Sequence, residues 1–178
     1  MPDRAYAKQI IREIIQAAGG KLAGKVRLHK AFYLAHLFYW QLYEGVLSDY
    51  PIVRMPFGPG IDDGPELILE MVQEGEVKLK PRRVGPFMEE VFHLSHRVKL
   101  DKRSPRYDAI RHAVVHVKKR TATQLSEETH EYSLSWQEAS SGAELNIYLD
   151  MLTSEEYQRI KKASAQTADL VLAAFDSE

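Results

Sequence analysis

The chain contains no cysteine among its 178 residues. Disulfides, thiolate metal sites and cysteine nucleophiles are therefore excluded. It also lacks any apolar run approaching the ~20 residues that span a bilayer. The nearest stretch, residues 25–43, is broken by His29, Lys30, His36 and Gln41. An overall charge of one sign is missing too, since 24 Lys and Arg face 25 Asp and Glu. No glycine-rich loop follows a strand pattern and no Gly-x-Ser-x-Gly elbow occurs, so the commonest phosphate cradle and hydrolase elbow are absent. Met1-Pro-Asp-Arg4 leads directly into a polar helical pattern and does not read as a secretory leader. A cytoplasmic protein with no membrane partner is expected, with one domain over residues 1–178.

What the chain does have is concentrated in residues 24–60. From Val26 to Tyr43, 13 of 18 residues are apolar or aromatic, with no Gly or Pro among them. The spacing of Leu28, Phe32, Ala35, Tyr39 and Leu42 predicts a helix over 25–43, apolar nearly all round and hence central and buried. A further row, His29, Tyr33, His36, Trp40 and Tyr43, combines apolar bodies with polar tips. It either meets buried polar partners or lines a binding surface. Pro51 to Pro56 reads as a short extended run, and Phe57-Gly-Pro-Gly-Ile61 as a rigid turn.

Other elements follow from pattern and capping. Residues 3–18 form a helix with Ile10, Ile11, Ile14, Ile15 and Ala18 inward, stopped by Gly19-Gly20. Asp62-Asp63-Gly-Pro65 starts another, with Leu67, Ile68, Met71 and Val72 as its apolar face. Glu76 to Lys80 and Met88 to Ser95 read as strands around a basic turn region, Pro81 to Pro86, that carries Arg82 and Arg83. Ser104-Pro105 opens a helix to about Arg120, and Thr121 to His130 a shorter one. Tyr132 to Ser141 reads as a Ser-rich connection, and Ala143 to Leu152 as a short element of undetermined type. A capping box at Thr153 starts a last helix over 153–175. The fold class expected is α+β, predominantly helical, in a single compact domain: a central buried helix, a small antiparallel sheet and a winged-helix-like element in which Arg82 and Arg83 form the wing.

Charge is unevenly placed. Residues 97–120 hold nine basic and two acidic residues, and residues 121–178 three basic and eleven acidic. Either these segments pack beside each other, or the basic one contacts nucleic acid. For the second reading the candidates are Arg82, Arg83, Arg103, Arg106, Lys118, Lys119 and Arg120, in a nucleic-acid-binding regulator. His112 and His116 share a helix face, but the segment lacks the Glu of a zincin helix and no third ligand follows by spacing; no metal or cofactor is expected. A Ser-His-acid set could be drawn from Ser133–Ser141 and His130, as any Ser-rich loop would allow.

Two stretches together carry a family resemblance. Leu28-His-Lys-Ala-Phe-Tyr-Leu-Ala-His36, followed by Phe57-Gly-Pro59, resembles the start of the Panacea domain, the phage-associated, SocA-like antitoxin family. Thr129-His130, with Trp136 six residues after the His, is similar to that family's C-terminal motif. Order and spacing agree over roughly residues 8–150, with Ala31 where the family has Leu and Gly60 where it has Val. The resemblance implies a non-enzymatic module that neutralises a cognate toxin encoded beside it, by direct binding or as an adaptor to an ATP-dependent protease. The motif positions it brings are Lys30, Tyr33, Phe57, Gly58, Pro59, Thr129, His130 and Trp136, as fold or partner-binding residues without a catalytic role.

Overall fold

Helix α1, Arg4–Ala17, begins where the Asp3 carboxylate accepts the Tyr6 N–H. Its inward stripe, Ile10, Ile11, Ile14 and Ile15, is at most 1% exposed. Each of these side chains contributes about 1.5–3 kcal/mol by leaving water. The computed structural model describes residues 2–152, with Arg159 and Lys162 beyond them. Apart from those two, the helix expected over 153–175 lies outside the described residues.

Strand β1, Lys21–Ala23, follows α1 and leads into α2, Lys25–Tyr43. The burial of α2 is uneven. Leu28, Lys30, Ala31, Phe32, Tyr33, Ala35 and His36 are buried, whereas Gln41, Leu42 and Tyr43 are exposed. The expectation of a helix covered all round therefore fails in its last turn, and Leu42 faces solvent at 47% exposure. The helix runs past the edge of the core there, and Tyr43 reaches the Asp108 carboxylate at 3.0 Å.

Strands β2, Ile52–Met55, and β3, Gly58–Ile61, pair antiparallel across a Pro56-Phe57 turn. Residues 58–61 are thus a strand, not the expected turn. A strand of this composition survives because all four residues are buried against their neighbours, and Pro59 needs no N–H for its place there. Helix α3, Gly64–Gln73, comes next. Its outer carboxylates meet α1: Glu70 pairs with Arg4 and Lys8, and Glu74 with Lys8. Arg12 likewise pairs with Glu76.

Strands β4, Val77–Val84, and β5, Phe87–Leu94, form a long hairpin closed at Gly85-Pro86. With β1 they make a three-stranded antiparallel sheet in the order β1-β5-β4. Arg82 and Arg83 consequently sit inside β4, on opposite faces, and not on a loop. This corrects the expected wing: strand pairing continues through Pro81, since β4 is an edge strand and its proline costs no inner ladder bond.

Helix α4, Pro105–Lys118, is capped by Ser104 and lies chiefly on α2. Helix α5, Ala122–Tyr132, starts with a full capping box between Thr121 and Gln124. The Ser-rich connection contains a short helix, α6, Leu134–Glu138, capped by Ser133. Residues 143–152 add a bridge from Glu144 to Val53 and a 3-10 turn, Ile147–Met151. The domain is mixed α and β, mostly helical, with its core between α1, α2, α4 and the inner face of the larger sheet.

Candidate functional site

The buried half of α2 presents three polar side chains in one turn and a quarter: His29, Lys30 and Tyr33. Two of them hold β3. The Ile61 N–H donates to His29 Nδ1 at 3.0 Å, and Lys30 Nζ donates to the Pro59 carbonyl oxygen at 3.1 Å. Lys30 is 1% exposed, and among the described residues no carboxylate pairs with it. Burial pushes its amine down to about 7. Burial also lowers His29 to about 4, helped by the Lys30 and Lys25 charges. A neutral His29 is what the geometry demands, since its Nδ1 accepts a hydrogen bond.

Gly58 lies where Lys30 and Thr129 meet. Its φ is +103°, and an added Cβ would run into Lys30 Nζ and Thr129 Oγ1. Thr129 sits on α5 and donates to carbonyl oxygens one turn back, at Leu125 and Ser126. Only glycine satisfies both the positive φ and the close approach.

Tyr33 points to a second knot. Its hydroxyl donates to Asp150 Oδ2 at 2.7 Å. The same carboxylate accepts from Ser133 Oγ at 2.9 Å, Ser135 Oγ at 2.6 Å and the Ser135 N–H at 2.7 Å. Burial first, then the Asp150 charge, raise the Tyr33 hydroxyl well above its ordinary value. Asp150 was not singled out by the sequence; its only signal was a carboxylate among apolar residues, Ile147 to Leu152.

The third knot is aromatic. His130 stacks on Trp136 with ring centres 4.0 Å apart and planes 14° from parallel. Trp136 Nε1 donates to the Met55 carbonyl at 2.8 Å, and the Arg54 guanidinium lies 4.3 Å from its ring centre. The three knots make one clasp. It ties α2, β2, β3, α5, α6 and the 3-10 turn, and joins every resemblance position except Phe57. Phe57 is 65% exposed at the tip of the β2–β3 turn.

The row on α2 mostly finds polar partners. His36 is buried with Nδ1–H donating to the Phe32 carbonyl and Nε2 accepting from Ser48, both at 2.8 Å. Trp40 packs edge-on to Tyr148. Beside the clasp a pocket of about 220 Å³ is lined by Tyr33, Leu34, Leu37, Thr129, Tyr132 and Asp150, among others.

Apart from His130 Nε2, which is buried with no hydrogen-bond partner among the described residues, the donors and acceptors of the clasp are spent on each other. The Ser133 and Ser135 hydroxyls go to Asp150, while the His130 ring faces Trp136. No hydrogen bond among those described joins His130 to a serine. His116 pairs with Glu128 at 2.9 Å, and His112 Nδ1 meets the Asp108 carbonyl. Among the described residues no group of three metal-ligating side chains occurs.

The seven basic candidates are not brought together. Arg106 pairs with Glu13 on α1 at 2.6 Å, and Arg120 with Glu128 at 2.9 Å. Arg83 Nε donates to the Gly85 carbonyl, whereas Arg103 and Lys119 are exposed. Arg106 and Lys118 stand about 18 Å apart along α4, at 1.5 Å per residue. Only Arg82 and Lys118 share a groove.

No protein-family model matches the chain, and neither a curated protein nor a solved structure matches it. Among the described residues no helix is long and apolar enough to cross a membrane.

Proposed function

We propose that the protein is an antitoxin-type binding module that neutralises a cognate toxin protein, by holding it directly or by presenting it to an ATP-dependent protease. The reading starts from the resemblance. The observation that carries it is the way the clasp frames Phe57. The Met55 carbonyl on one side of the turn is held by Trp136, and the Pro59 carbonyl on the other by Lys30. A large apolar side chain is thus kept in solvent on a turn pinned at both ends. An aromatic anchor fixed in advance loses little freedom on binding, which favours a protein partner. The hydrogen bonds of Ser133 and Ser135, both spent on Asp150, suit a scaffold better than a nucleophile.

Co-expression tests this. Each gene adjacent to the coding sequence is expressed alone and with this chain, and growth and co-purification are scored. Rescue with a stable complex supports direct neutralisation. Rescue with loss of the toxin that depends on an ATP-dependent protease supports the adaptor mode. No toxicity from either neighbour overturns the reading.

A further inference from the structure

The larger sheet has two faces of opposite character. On the inner face Leu22 and Phe92 are 3% and 0% exposed and join the core. The alternation of the uninterrupted β4–β5 register places Lys78, Lys80 and Arg82 on the outer face, opposite His93, Val91 and Glu89. Lys21 lies beside His93 from the other edge. Over this face runs an open groove of about 560 Å³, with Lys21, Arg27, Lys80, Arg82, His93 and Lys118 on its walls and Val91 on its floor.

No acidic side chain lines the groove. Glu89 stands next to it and is shared by Arg27 and Arg82, at 3.0 and 2.5 Å. Lys118 donates to the Ala18 carbonyl at 3.2 Å and has no ion-pair partner among the described residues. Lys21 and Lys80 have no ion-pair partner among the described residues. The five Lys and Arg that line the groove, less the neighbouring Glu89, leave a formal surplus of four positive charges there, in a chain whose net charge is −1. His93 responds to that field: its ring is lowered by burial first, then by the Lys80 and Lys21 charges.

We propose that this face binds a single strand of nucleic acid through its phosphates. The cations do not converge on one point, as they would for a compact anion. Lys80 and Arg82 are about 6.7 Å apart along β4, and Lys21 lies about 9.6 Å across the sheet from it. Such a spread suits a linear polyanion. A concave groove admits one strand more readily than a duplex. At the far end of the same face, Phe87 is 73% exposed, on the side of β5 that carries Val91 and His93. A base at the end of the phosphate track can stack on it, as on other sheet platforms for single strands. Phosphate contacts and stacking on Phe87 carry little sequence information, so binding is expected to be largely independent of sequence.

The test is fluorescence anisotropy with a labelled 20-nucleotide oligo(dT), using the full chain. About four phosphates engaged gives a log–log salt slope near −3, or about 100-fold weaker binding at 250 than at 50 mM NaCl. Lys21→Glu with Lys80→Glu is expected to weaken binding at least tenfold. Arg103→Glu, of the same charge change per site but off the groove, is expected to leave it within twofold. Both lysines are exposed, and unchanged thermal midpoints confirm folding of the variants. No binding at 50 mM overturns the proposal. So does equal weakening by Arg103→Glu, or tighter binding to a duplex of the same length. Binding to anionic phosphatidylserine vesicles without binding to the oligonucleotide also overturns it, in favour of a lipid surface.

Discussion

The Lys30 amine and the Pro59 carbonyl oxygen are 3.1 Å apart in the interior, and no carboxylate among the described residues pairs with the amine. A cation buried on one carbonyl makes stability depend on pH in an uncommon direction. The folded value of about 7 lies below the unfolded value of 10.5. Between these the unfolded chain binds a proton that the folded chain does not, so stability rises with pH. Urea midpoints are expected to increase from pH 7 to 9.5, by at most about 1.4 kcal/mol per pH unit. Lys30→Met removes this slope. A wild-type protein whose stability is flat over that range would mean that Lys30 stays charged in the fold.

The acid side has a different source. His29 and His36 both sit at about 4 when folded, against 6.5 unfolded. Between pH 6.5 and 4 the unfolded chain binds more protons, and stability falls as pH falls. Each ring contributes up to about 1.4 kcal/mol per pH unit. His36→Gln can still donate to Phe32 and accept from Ser48. It is expected to keep the fold at pH 7 and to make the acid slope shallower by about one proton, as read from urea midpoints at pH 7, 5.5 and 4.5.

Gly58→Ala is expected to cost about 3 kcal/mol or more, combining a positive φ with a collision. Adding Thr129→Ala or Lys30→Met relieves one part of the collision but not the backbone strain. Recovery in the double variants should therefore be partial. Full recovery in either would show that the φ of Gly58 costs nothing.

Asp150→Asn replaces a carboxylate that accepts four hydrogen bonds with a group whose NH2 must face a donor. A loss of about 2–3 kcal/mol is expected, on the scale of hydrogen bonds to a charged group. Tyr33→Phe loses one of the four and should cost about 1.5 kcal/mol, the low end of that scale. Thermal midpoints of the two variants separate the carboxylate from the phenol. Equal losses would place the whole effect on Tyr33.

Phe57→Ala is expected to leave stability within about 0.5 kcal/mol, since the ring is exposed, while abolishing rescue in the co-expression assay. Retained rescue would remove Phe57 from the partner surface.

Helices with their own punctuation were legible in the chain. Ser104 and Thr121 cap α4 and α5 within two residues of the expected starts, and Gly19-Gly20 ends α1 because nothing after it can continue the stripe. The three residues of β1 were not, since their partner lies seventy residues on in β5 and no local pattern marks them. Gly58-Pro59-Gly60 reads as a turn by composition; tertiary packing against Lys30, His29 and Thr129 makes it a strand. The burial of Lys30 is invisible to a hydropathy pattern, because its acceptor is a backbone carbonyl. The basic groove was hidden for a related reason: Lys21, Arg27, Lys80 and Lys118 come from four separate elements, and only folding sets them on one face.

The clasp also governs how the chain is made. Lys30 needs Pro59, Tyr33 needs Asp150, and α2 needs α4 to cover it. In synthesis from the N-terminus, α2 is complete about a hundred residues before Asp150. At ~5–20 residues per second, it waits roughly 4–15 s for α4 to cover it and roughly 5–20 s for Asp150. A chain that stalls before α4 is made leaves Leu28, Phe32 and Ala35 without that cover, open to chaperones and proteases.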